Sequence, residues 1–255
     1  MTAANTVHVL NTADWQMPEG MMMQMGGDDL IAAKCPAYLI EHPDSLILFD
    51  TGLSHDLVAN PTEYGAPQLE EFAPAIEPKA TPAEQIDDLG YDTSDVDHVV
   101  LSHLHTDHAG NIDQFEDANL HIHIDELRYA WWPDPPQTAF YIDSDLTPLR
   151  DSSGTVTEVT CRTDLLGDGS IEIIPTPGHT PGHQSLKVKL DDETVYFVAD
   201  AANLRAGYEE GLVAPFSWST EKSMESLRRL KAEANSRDAF TVIHHDAEDL
   251  SRLED

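Results

Sequence analysis

A mixed α and β domain, with a sheet-rich core flanked by helices, is the fold class this sequence predicts. Three observations carry it. Short apolar, β-prone runs recur along the chain, separated by segments with helix-start and helix-stop residues. Several of these runs end in histidine or aspartate, as strands do when they deliver side chains to one sheet edge. The chain has 255 residues, 40% of them hydrophobic, enough for one sizeable core spanning residues 1–255.

The elements follow in order. Residues 37–41 and 45–50 are apolar runs separated by His-Pro-Asp, a hairpin signal, and the second ends in the turn Asp50-Thr51-Gly52. Residues 60–81, rich in Pro and Glu, read as a long loop. Residues 82–89 carry helix marks: Thr81 as N-cap, Pro82 at the first helical position, Glu84 in the first turn and Gly90 past the end. A buried strand over 96–103 runs into a histidine cluster, and a short helix is expected from Ala109. Residues 120–124 alternate, Ile122 and Ile124 opposite His121 and His123, and predict another strand; 125–132 predict a helix that stops at Pro133. The stretch 133–168 is Pro- and Asp-rich and reads as irregular. Three β runs follow at 171–174, 185–190 and 194–199, with Gly178 and Gly182 punctuating the loop after the first. Residues 220–234 predict an amphipathic helix with Met224, Leu227 and Leu230 on one side, and 240–243 a last strand ending at His244-His245-Asp246.

Charge excludes several partners. Acidic residues number 47 against 14 basic, a formal charge of −33. The acid is spread along the chain in pairs such as Asp28-Asp29, Glu70-Glu71 and Glu209-Glu210. Such a surface repels itself in dilute buffer, and molar salt, with a Debye length of about 3 Å, screens the repulsion. A halophilic, cytoplasmic protein is expected. Without a basic patch, nucleic acid is not an expected partner. No apolar run approaches the ~18 residues that span a bilayer, and the first ten residues show no signal-peptide pattern, so no membrane association is expected. Cys35 and Cys161 have no ligand spacing and are expected as buried free thiols.

The densest chemistry lies at 102–110, Ser-His-Leu-His-Thr-Asp-His-Ala-Gly. His103 and His105 alternate, so an extended backbone presents both on one side. Asp107 and His108 follow at once, where a turn aims them at a second point nearby. Imidazole and carboxylate suit Zn²⁺ and its borderline neighbours. Further ligand-type residues, His179, Asp200 and either His244 or His245, also sit where β runs end, which points to convergence on one metal site.

In these residues the sequence resembles the metallo-β-lactamase superfamily, whose HxHxDH motif stands here as His103-x-His105-x-Asp107-His108. Within it the resemblance is to the N-acyl homoserine lactonases, through Ile47-Leu48-Phe49-Asp50-Thr51-Gly52, the 102–110 stretch, Thr176-Pro177-Gly178-His179-Thr180-Pro181-Gly182-His183-Gln184-Ser185 and His245-Asp246. The resemblance implies an αββα sandwich with a dinuclear metal site at the edge of its sheets. It implies that His103, His105 and His179 hold one metal, that Asp107, His108 and His245 hold the other, and that Asp200 bridges them together with a hydroxide. His245 is preferred over His244 because the family ligand precedes an Asp. Two divalent ions are implied, zinc first, with iron, manganese or cobalt as alternatives. The implied reaction is opening of a lactone ring by the bridging hydroxide, with Asp107 also acting as a catalytic proton shuttle. Asp50 is expected either to orient a ligand imidazole or simply to form a turn. His183, unlike His179, is expected to be structural, and His8, His42, His55, His98, His121 and His123 to be surface or core residues.

Two positions depart from the lactonase pattern. Three residues after the bridging Asp, where a tyrosine is expected to donate to substrate, stands Asn203; Tyr208 in the following loop is the alternative donor. Thr106 stands where an aromatic residue is common. Met21, Met22, Met23 and Met25, and Trp131 with Trp132, are candidates to line an acyl groove, ordinary packing being the competing reading for each. The expected partner is a small-molecule substrate, and a homodimer is left open. The competing functions are a glyoxalase II-like thioesterase, another hydrolase or iron-holding oxidoreductase of the fold, and a non-catalytic metal-binding protein.

Overall fold

The computed structural model describes residues 2–70, 73–151 and 155–254. Among the described residues twelve strands form two sheets. The first has the order β4-β1-β2-β3-β5-β6-β7, from β1 (Thr6–Pro18), β2 (Leu30–His42), β3 (Ser45–Phe49), β4 (Ile76–Pro78), β5 (His98–Val100), β6 (Asn119–His123) and β7 (Thr155–Val159). The second has the order β12-β11-β10-β9-β8, from β8 (Thr163–Asp164), β9 (Ile171–Pro175), β10 (Gln184–Lys189), β11 (Thr194–Phe197) and β12 (Phe240–Val242). Pairing from β4 to β3 is antiparallel, then turns parallel through β5, β6 and β7 as helical crossovers take over. In the second sheet only β11 and β12 run parallel, joined through the long helix Thr220–Ser236.

Both faces of these strands are covered, so the central strands read as near-continuous apolar runs. The two-residue period sorts them. Tyr38, Ile40, Ile47 and Phe49 face the second sheet and meet Ile173, Leu186, Val195 and Phe197. Their neighbours Leu39, Leu46 and Leu48 face outward onto Ile86, Ile112, Phe115 and Ala130 of the flanking helices. On the far side Tyr196 and Val198 pack against Leu227, Leu230 and Ala234. The result is a helix–sheet–sheet–helix sandwich, the architecture the resemblance implies.

Several expectations match closely. The hairpin pairs Tyr38 with Phe49 and closes at His42 and Ser45. The helix Pro82–Asp88 starts with a capping box in which Thr81 and Glu84 exchange hydrogen bonds. Others need correction. The first strand of the hairpin is β2, which begins at Leu30, and it pairs with a thirteen-residue β1 whose mixed, polar-interrupted sequence gives little β signal. The 60–81 loop contains the turn of helix Pro61–Tyr64 and the edge strand β4. The 133–168 stretch contains the short helix Asp143–Leu146 and strands β7 and β8, which take their order from pairing with β6 and β9. Residues 71–72 and 152–154 of these two stretches lie outside the described residues. The short helix expected from Ala109 is already formed over Thr106–Ala109, inside the histidine motif. Cys35 is buried, but Cys161 is exposed, because it falls in the connection between the two edge strands β7 and β8. Among the described residues no helix is long and apolar enough to cross a membrane.

Candidate metal centre

The ligand-type residues converge from both sheets. β5 ends at Val100, and the chain passes through Leu101 and Ser102 into His103 and His105, the latter capping the helix Thr106–Ala109. The turn after β3 cradles that helix: Thr51 N–H donates to His108 O at 2.7 Å, and Gly110 N–H to Gly52 O at 2.9 Å. A Cβ at Gly110 would lie 2.5 Å from Ser54 N, so the approach requires glycine. His179 comes from the loop between β9 and β10, Asp200 from the turn after β11 and His245 from the turn after β12.

Among the described residues four groups of side chains are close enough to share an ion: His103, His105 and His179; Asp107, His108 and His245; His103, His108 and Asp200; and Asp50, His108 and His244. Asp200 lies between the first two. Its Oδ2 is 3.2 Å from His179 Nε2, while its Oδ1 is 3.1 Å from His245 Nε2 and 3.3 Å from His108 Nε2. Asp107 Oδ2 is 3.8 Å from the Nε2 atoms of both His108 and His245. His245 therefore faces Asp200. His244 stacks behind His108, with ring centroids 4.4 Å apart, and neither of its ring nitrogens has a partner.

Four of the five candidate ligand imidazoles are held from behind, His179 being the exception. His245 Nδ1–H donates to Lys34 O at 2.6 Å, and His105 Nε2–H donates to Gln137 Oε1 at 2.9 Å. His108 Nδ1–H donates to Asp50 Oδ2 at 2.9 Å. The Ser102 hydroxyl donates to the same Oδ2 at 2.9 Å and accepts from His103 Nδ1 at 3.0 Å. Asp50 thus reaches rings of both groups, and at φ 60° it is also the turn residue after β3. His183 does not face the cluster ions' place: its Nε2 accepts the backbone N–H of Asp200 at 3.0 Å, and its Nδ1 lies 2.9 Å from Thr176 Oγ1.

The donor set fits a pair of divalent cations. His103 Nε2 and His108 Nε2 are buried without a hydrogen-bond partner, a costly arrangement unless something else satisfies them. Burial pushes His103 well down and His105 and His179 down to about 3, which keeps them neutral, the ligating form. Burial also works against protonation of His108 and His245, but the carboxylates of Asp200 and Asp107 outweigh it and hold both up. Burial alone would raise Asp200; the imidazoles of His245, His108 and His179 hold it well below the usual carboxylate range.

A cavity of about 240 Å³ opens onto His105, Asp107, Asp200 and His245. Its walls are mostly apolar: Trp15, Met17, Met21 and Met22 on one side, Phe140 and Phe216 on the other. Thr106, Gln68 and Asn203 add the few polar groups, and no lysine or arginine lines it. Asn203 is buried and its Oδ1 has no partner. Of the methionine cluster, Met23 packs beside Leu204 and Met25 is exposed. The tryptophan pair is not at this cavity: Trp131 lies under Arg150 and Trp132 is exposed. Tyr208 is not there either. The helix Arg205–Glu210 turns it into the core beside Leu227 and Leu230, away from the cavity. Sequence reasoning did not single out Ser102, Glu126 or Gln137. Ser102 adjoins the motif, but nothing local marks Glu126 or Gln137, whose contacts are 15 or more residues away in sequence.

A fold of this kind around such a donor set defines a metal-dependent hydrolase of the metallo-β-lactamase type. The metallo-beta-lactamase superfamily matches residues 32–236. An N-acyl homoserine lactonase, AttM, of Rhizobium radiobacter is 33% identical over 217 residues, covering 83% of this chain and 81% of its own length. The chain therefore belongs to the metallo-β-lactamase superfamily, in the family of the N-acyl homoserine lactonases. Among solved structures, an N-acyl homoserine lactone hydrolase with N-hexanoyl-L-homoserine at its catalytic metal centre superposes with a TM-score of 0.82 at 22% identity, over 98% of this chain and 96% of that one. AidC, a dizinc quorum-quenching lactonase, gives 0.71 at 14% identity, over 96% and 91%. At these identities the two structures attest the fold.

Proposed function

We propose that this protein opens the ring of N-acyl homoserine lactones, with His103, His105 and His179 holding one divalent ion, Asp107, His108 and His245 a second, and Asp200 spanning both. The observation that carries the reading is the pair of Asp200 oxygens, one turned to each histidine group at the floor of an apolar cavity. Imidazole and carboxylate donors in this ratio favour zinc. When bound, the ions supply a water acidic enough to serve as nucleophile at neutral pH and polarise the lactone carbonyl.

The chain's own residues do the rest. Asp107, on the cavity wall with a partly exposed carboxylate, is placed to take a proton on the oxygen not turned to His108 and His245 and return it to the departing ring oxygen. Asn203, buried in the wall, is the amide that orients the substrate through its carbonyl. The apolar walls exclude water and accept an acyl chain. An anionic thioester would find no lysine or arginine in this cavity, so the lactone reading is favoured over a glyoxalase II-like one.

The test is metal analysis of protein purified in molar salt, followed by acid release from a panel of lactones and thioesters. Two ions per chain and turnover of N-acyl homoserine lactones are expected. Turnover of thioesters without lactones would overturn the substrate assignment.

A further inference from the structure

The two loops that supply the first ion's histidines are fastened to each other by two buried side chains outside the ligand set. Gln137 is one. Its Oε1 accepts from His105 Nε2 at 2.9 Å, and its Nε2 donates to His179 O at 3.0 Å and to Phe216 O at 2.8 Å. The two carbonyls can only accept, so the amide cannot flip, and Oε1 must face His105. That contact fixes the proton of His105 on Nε2 and leaves Nδ1, which lies 3.2 Å from His179 Nε2, for an ion.

Glu126 is the other. Its Oε1 accepts from Leu104 N–H at 3.0 Å, between His103 and His105, and from the Tyr141 hydroxyl at 2.7 Å. Its Oε2 accepts from the Thr180 hydroxyl at 2.5 Å and Gly182 N–H at 3.3 Å, immediately after His179. A Cβ at Gly182 would fall 2.2 Å from Glu126 N, so the loop closes onto the helix Ile124–Ala130 only with glycine there. Neither side chain has a hydrogen bond to Asp107, His108 or His245, whose rings are held by Asp50 and by the Lys34 carbonyl.

We propose that Gln137 and Glu126 form a clamp that positions the three-histidine subsite alone, with Gln137 selecting the ligating nitrogen of His105. The proposal rests on the two-ion reading above. Its consequence is selective: loosening the clamp weakens one ion and spares the other.

The experiment is a zinc titration against a chromophoric chelator, with the cobalt(II) spectrum of the same proteins, all in molar KCl. The variants His179→Ala and His245→Ala supply the reference spectra for loss of each subsite. Gln137→Leu is expected to bind one ion 10–100-fold more weakly, the range typical for removing such a partner. Its residual cobalt spectrum should match that of His179→Ala. Gln137→Glu, which keeps the acceptor for His105, should recover part of the loss. Thr180→Val, which removes one donor to Glu126 at nearly constant volume, should weaken the same ion, and it carries the comparison if Gln137→Leu does not fold. Two equally tight ions in Gln137→Leu, or a residual spectrum like that of His245→Ala, would overturn the proposal while leaving the two-ion reading intact. A wild-type protein that binds a single ion would overturn both.

Discussion

Asp50 Oδ2 lies 2.9 Å from His108 Nδ1, and neither side chain has any exposure. Burial raises the Asp50 carboxyl, and donors from His108 and Ser102 offset part of that cost. Because Ser102 relays the contact to His103, one carboxylate braces a ring in each histidine group. Asp50→Asn replaces an acceptor that takes several donors with one that takes fewer. It should weaken zinc binding about 10–100-fold at both subsites, read by chelator competition. Wild-type affinity at either subsite would show that its ring is set elsewhere.

His244 and His245 are adjacent but face different ways. His245→Ala should lose one ion and at least about a hundredfold in lactone turnover, as removal of a ligand leaves the other donors without their cation. His244→Phe, which keeps a ring against His108, should retain two ions by mass-spectrometric metal analysis. Loss of metal in His244→Phe but not in His245→Ala would reverse the assignment.

Asp145 gives a pH dependence outside the cluster. Burial pushes its carboxyl up to about 7, although the hydroxyls of Tyr64 and Thr106 pull the other way. With the folded value above the unfolded one, its contribution to stability is fully present below about pH 4 and is lost as pH rises towards 7. Asp145→Asn mimics the protonated side chain, so the variant should gain on the wild type by up to a few kcal/mol between pH 5 and pH 8. Parallel melting curves across that range would contradict it.

The charge of −33 predicts the response to salt. Screening by molar KCl shortens the Debye length to about 3 Å and removes most surface repulsion. The melting temperature should rise with KCl. A flat or falling curve would count against a halophilic protein.

Phe216 and Phe140 stack with centroids 4.7 Å apart beside His179 and His105. Phe216→Ala should raise KM several-fold for long-chain substrates and little for short ones, since each methylene taken out of an apolar wall is worth about 0.8 kcal/mol. An equal effect at all chain lengths would place the acyl chain elsewhere.

The parts of the molecule legible in the sequence are those whose signal is local. The 37–50 hairpin, the Thr81 capping box and the Leu227–Leu230 face each depend on neighbours within a few residues. The histidine motif is legible for the same reason: spacing alone puts His103 and His105 on one side. β1 takes its length from its pairing with β2, its polar interruptions blurring its own signal, whereas β7 is rich in β-branched Thr and Val and carries a local signal that the surrounding Pro- and Asp-rich stretch obscures. Tyr208 and Trp131 looked available for the cavity because sequence distance does not tell which way a helix turns a side chain. Gln137 and Glu126 act across 15 to 79 positions, so only the closed fold reveals them.

The seven donors are spread from residue 103 to residue 245 and come from the ends of both sheets. An ion pair held there ties together segments that the chain alone connects through more than a hundred residues of loop and strand. On the two-ion reading, loading would work as a reversible cross-link, and the free-ion concentration would add to how firmly the two sheets stay docked. Where the ion is scarce, chelation would then loosen the sandwich as well as silence the proposed chemistry, so supply of the ion would govern how long the protein lasts as well as how fast it works.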